Sequence, residues 1–221
     1  QILDGGNDEG RAAAARALRF VGGDAARKVA TDRLATDGSP RARLQLLESF
    51  AALADVQLPE HALILTKALE KDGSVDVRRA AAVALGKAGV KSAQSALANA
   101  AVDPDWTLAV CATVSLGRTG HDDAIGVLLD QTKSPEWTRR GAAVVGLMHF
   151  NRAAVVEPLI GLLTDPSPIV ARAAHQALMV IGWREDLAAE PKEWTDWWRA
   201  EGKKHRPAHD DAEATPRFFR P

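Results

Sequence analysis

One segment recurs along this chain at a fixed spacing, and that recurrence constrains the fold more than any other feature. The copies at 77–89, 108–120 and 170–182 share the leucines Leu85, Leu116 and Leu178, and Leu147 fills the gap so that all four leucines are evenly spaced. Turn residues keep the same register at Asp72-Gly73-Ser74, Asp103-Pro104, Ser134-Pro135 and Asp165-Pro166. Two earlier copies are looser, with Leu18, Phe50 and Leu85 standing at wider and unequal intervals. After the turn, Val77, Ala81, Ala84, Leu85 and Ala88 follow one another at helical spacing, so each period reads as two helices around a turn. A single pair cannot bury its own apolar stripe, whereas stacked pairs can. The expected fold is therefore all-α: an α-solenoid (superhelix) of antiparallel helix pairs with a ~31-residue period.

Composition agrees and excludes several classes. Tyrosine is absent and aromatics are 5% of the 221 residues, while a hydrophobic content of 46% is enough for a packed core. With 28 Lys and Arg against 29 Asp and Glu, the net charge of −1 gives no general attraction for phosphate backbones. Cys111 is the only cysteine, so neither an intramolecular disulfide nor a cysteine-based metal site is available, which fits a reducing, cytoplasmic compartment. No apolar run is long enough for a membrane span, and none is expected.

The stretch Asp72-Gly-Ser-Val-Asp-Val-Arg-Arg-Ala-Ala-Ala-Val-Ala-Leu-Gly, with its echoes, resembles the HEAT repeats, and especially the short HEAT-like type of the phycobilisome lyases. The resemblance covers residues 1–182. It implies a solenoid whose second helices line a concave inner surface. It also implies one alternative role, a bilin lyase or chaperone-like subunit, although no chromophore-handling motif matches. Since one scaffold serves many activities, function must be argued from the surface.

No catalytic residue, metal site or cofactor is expected. Deoxyhypusine hydroxylases, HEAT-like enzymes, build an iron site from His-Glu dipeptides, and none of the six histidines here precedes a glutamate. His121-Asp122-Asp123 stands where a helix begins, a position at which acidic residues serve capping. HEAT-like DNA glycosylases combine tryptophans with a basic concave face, which directs attention to Asp105-Trp106 and Glu136-Trp137, themselves one period apart. Trp106 and Trp137 form an alternative aromatic surface, but Pro, acid and Trp together read better as a helix-starting turn. Arg78, Arg140 and Arg43 hold matching places and are expected to tie down inter-helix turns, for instance through Asp72.

The candidate partner surface follows from helical phase. If Val77, Ala81, Leu85 and Ala88 face the core, then Arg79, Ala82, Val83 and Gly86 face away. Shifting by the period gives Val110, Thr113, Val114 and Gly117, then Gly141, Val144, Val145 and Met148, then Arg172, His175, Gln176 and Met179. From these, Arg79, Val83, Val110, Val114, Val144, Val145, Met148, Arg172, His175 and Met179 are the expected concave binding face for a partner helix or peptide. An equal reading of the small residues is that they let neighbouring second helices pack closely. The expected function is a non-catalytic protein-binding scaffold, with nucleic acid a distant third possibility.

The ends differ. Residues 1–5 read like the tail of a helix whose beginning lies upstream, or like a solenoid starting on a half repeat. After 182 the pattern breaks, and Trp194, Trp197 and Trp198 share a helical face in a segment, 183–201, expected to cap the last repeat. Residues 202–221 are expected to be a flexible tail, with Phe218-Phe219 as its one apolar element.

Overall fold

Proline opens helices at Pro40, Pro59, Pro168 and Pro191, where its fixed φ fits and its missing N–H costs nothing. The computed structural model describes residues 6–53, 58–150, 153–182 and 184–201; the expectations for 1–5, Trp183 and the 202–221 tail lie outside them. Among the described residues there are twelve α-helices and no strand. The chain divides into two compact units, Gln1–His121 and Asp122–Pro221.

The first unit holds α1 (Asp8–Val21), α2 (Gly23–Leu34), α3 (Pro40–Leu53), α4 (Pro59–Lys71), α5 (Val75–Ala88), α6 (Gln94–Ala100) and α7 (Trp106–Arg118). α1, α3, α5 and α7 pack side by side, and α2, α4 and α6 pack behind them. The buried core between the layers includes Leu46, Phe50, Leu65, Leu85, Leu97 and Leu116. The second unit repeats the plan with α8 (Asp123–Gln131), α9 (Trp137–Leu147), α10 (Ala153–Gly161) and α11 (Pro168–Gly182), followed by α12 (Pro191–Ala200). The α-solenoid of helix pairs is thus the fold, and Leu85, Leu116, Leu147 and Leu178 are all buried.

The turns inside the repeats, between the two helices of a pair, are locked by arginine and aspartate. Asp37, Asp72, Asp103 and Asp165 each accept the backbone N–H two residues on, every time at 2.8 Å, which closes the turn on itself. Arg43 then reaches Asp72 through both guanidinium arms at 2.8 Å, and Arg140 reaches Asp165 through both at 2.7 Å. The same arginines donate to carbonyls of their own turns, Arg43 to Asp37 and Arg140 to Ser134, both at 2.9 Å. Arg11 makes a longer version with Asp37 at 3.2 Å, and Arg78 donates to the Asp72 carbonyl at 2.9 Å. The expected tie through Asp72 is made chiefly from the preceding repeat, by Arg43. One carboxylate therefore shapes its own turn and anchors the repeat before it.

α12 packs on α10 and against the end of α11. Trp194 and Trp198 are buried, and the Trp194 indole N–H donates to the Ala188 carbonyl at 2.9 Å. Gly182, at the end of α11, lies so close that a Cβ there would stand 2.9 Å from the Trp197 ring.

Candidate functional site

Each second helix of a repeat must meet the helix behind it and the second helices on either side, so only a narrow strip stays open. In the first unit the strips of α1, α3, α5 and α7 together line an open groove. Its floor is small and apolar: Leu44, Leu47 and Ala51 from α3, Ala80, Val83 and Ala84 from α5, and Cys111 from α7. Arg19, Glu48, Asp76, Arg79 and Lys87 supply the polar lining.

The early end of α5 is electrostatically closed. Arg79 donates to Asp76 and, at 3.1 Å, to the Thr107 hydroxyl on α7. Thr107 donates in turn to Asp105, whose carboxylate also accepts the Leu108 N–H at 2.8 Å. The Thr107 hydroxyl and the Leu108 N–H hold the Asp105 carboxyl below its ordinary pKa. Here Asp105 caps α7, as its place before an apolar run implies.

The expected face is only partly the observed one. Arg79 and Val83 do line the groove. Val110 and Val114 are half-buried, and it is Cys111 that reaches the groove from α7. Ala82 and Gly86, which the helical phase placed outward, are buried against α7, where a Cβ on Gly86 would lie 2.6 Å from the Ser115 Cβ. Ala84 and Ala88, counted with the core, line the groove instead. The open strip of α5 is thus turned by about a quarter of a revolution from the expected one, because lateral contact with α7 claims one side of the helix. For Ala82 and Gly86 the close-packing reading is the correct one.

In the second unit Val144 needs the same correction: it holds the register position of Ala82 and is completely buried. Its neighbour Val145 is exposed, as is Arg172, while Met148 and Met179 are half-buried. His175 also leaves the binding face. Its Nε2 lies 2.9 Å from the Leu187 carbonyl, and its ring meets Trp194 edge-on at 6.0 Å, so it belongs to the contact with α12. Trp106 and Trp137 stand at the first turns of α7 and α9 with 58% and 46% of their surface exposed. The turn reading accounts for Asp105, which caps α7, but neither for Glu136, whose carboxylate accepts from Arg139 at 3.0 Å, nor for two exposed indoles.

A family model described as HEAT repeats matches residues 62–148, the span from α4 to the end of α9. Over that span the chain carries HEAT repeats. The fold resembles that of a chain in the complex of CpcE and CpcF of phycocyanin lyase from Nostoc sp. PCC7120, with 23% identity and a TM-score of 0.60. The match covers 72% of this chain but 65% of that one. An engineered protein matches with 21% identity and a TM-score of 0.53, over 82% of this chain and 94% of its own. No curated protein matches the sequence.

The first unit thus presents an apolar floor with charge at its edges. Among the described residues no group of three or more His, Cys, Asp or Glu side chains is placed to hold a metal, and no helix is long and apolar enough to cross a membrane. His121, one of the residues weighed for chemistry, has its Nε2 3.2 Å from the Gly89 carbonyl and so ties down the end of α5.

Proposed function

We propose that this chain is a non-catalytic scaffold whose first-unit groove takes up an apolar helix or extended segment of a protein partner. The observation that supports the reading is the Ala80-Val83-Ala84 strip of α5, left open between Leu44 and Leu47 on one side and Cys111 on the other. A fully solvated helix face would carry charge there, and a floor of small side chains lets a partner backbone approach closely. The groove's polar groups support it too, since Asp76 and Arg79 are engaged with each other instead of converging on a reacting centre.

The test is a comparison of proteins co-purifying with the wild type and with Val83→Asp, after circular dichroism shows both to be folded. Loss of a specific partner in the variant is the expected result; an unchanged set removes the groove as the working surface. A second reading, a bilin lyase-like subunit, draws support from the structural likeness to the phycocyanin lyase complex. Co-expression with a bilin and an acceptor phycobiliprotein, read as covalently attached colour, decides for or against it.

A further inference from the structure

We infer that the segment bound in the first-unit groove is an amphipathic helix with aspartate or glutamate along one flank of its apolar face. This rests on the groove reading above and adds the chemistry of the occupant.

The two edges of the groove differ in charge. Where α5 begins, Asp76 and Arg79 neutralise each other. Where the lining helices end, Arg19 of α1 and Lys87 of α5 stand at the groove, and Arg118 of α7 follows Lys87 by one repeat period. All three are exposed, and none has a carboxylate partner among the described residues. The Arg19 guanidinium rests over the Phe20 ring, 5.0 Å from its centroid, which leaves its charge uncompensated. Of the two carboxylates that line the groove, Asp76 is paired with Arg79 and Glu48 accepts the Gln45 amide at 3.0 Å.

Cations in a last turn also favour their own helix dipole. That role needs no alignment along a groove and makes no demand on a ligand. An occupant lying across the lining helices would run its side chains along this basic edge. Acidic residues there would gain attraction at a partly desolvated site and speed encounter, whereas lysine would be rejected.

A displayed library of helices about 18 residues long, roughly five turns, with a fixed Leu/Ala face and randomised flanks, tests the inference. The full chain is the target and its Val83→Asp form the counter-target. Selected peptides are then measured by fluorescence anisotropy against wild type and Arg19→Glu/Lys87→Glu at two salt concentrations. Expected are Asp and Glu enriched on one flank, a loss of at least about tenfold in the double variant, and recovery when the peptide acids become lysines. Peptides that are sensitive to Val83→Asp but show no flank bias overturn this inference and leave the groove reading standing. No Val83-sensitive peptide overturns both. A double variant that loses thermal stability, with no rescue by the swapped peptide, assigns the cations to their helix ends and overturns the inference.

Discussion

Arg43 shows how much of a repeat can rest on one side chain. It is 15% exposed, its partner Asp72 is 9% exposed, and it joins two turns through three hydrogen bonds. Arg43→Ala should destabilise by about 1–3 kcal/mol, between an exposed ion pair and a buried one, and a double-mutant cycle with Asp72→Ala should return most of that as coupling. Burial alone would raise the Asp72 carboxyl, but the Arg43 hydrogen bonds and the Ser74 N–H outweigh it and hold it below its ordinary value; Arg140 does the same for Asp165. A carboxyl depressed in the fold contributes stability that is complete above its unfolded pKa and is lost as pH falls through the folded one. Urea midpoints should therefore hold steady from neutrality to about pH 5 and drop below about pH 4, and less so in Asp72→Asn/Asp165→Asn. The residue-scale signal was legible in the sequence, because Arg43, Arg78 and Arg140 share a register. That Arg43 would cross to the next repeat's turn was not, since spacing along the chain cannot say which of two nearby turns an arginine reaches.

The elements were legible in their cores and misphased on their surfaces. Val77, Ala81 and Leu85 are buried as their spacing implies, but the expected outer strip ignored that α5 has neighbours on both sides. Alanine and glycine carry no label that distinguishes an open groove from close packing, so Ala80 and Ala82 look alike in sequence and differ in the fold. The exposed charges Asp76 and Lys87 would have phased the helix better than the leucines did. Gly86→Ala makes the point measurable. In an open helix it would gain up to about 1 kcal/mol. Against Ser115 it should instead cost about 1–3 kcal/mol by overpacking, while Lys87→Ala, one residue on, should stay within about 0.5 kcal/mol. Equal effects for the two in urea unfolding would mean that α5 and α7 do not approach as closely as Gly86 allows.

At the scale of the whole molecule the period carried the fold, because within each unit every second helix packs on the next and that packing calls for the same residue types at each step. The division at His121 was not legible, since the step from Leu116 to Leu147 equals the steps on either side of it. The helix α12 was legible as a break in the period plus three indoles on one face, and it carries the last prediction. A stack of repeats is stabilised by contacts between neighbours, so damage at one end should weaken with distance along the chain. Trp194 is fully buried, lies edge-on to His175 and Trp197, and donates to Ala188. Trp194→Ala should cost about 3–5 kcal/mol locally. Hydrogen exchange should then show protection lost most in α10, α11 and α12, less in α8 and α9, and least in α1 to α3. A uniform loss would mean that the molecule unfolds as one cooperative body, and α12 would then be supporting the whole chain instead of its last repeat.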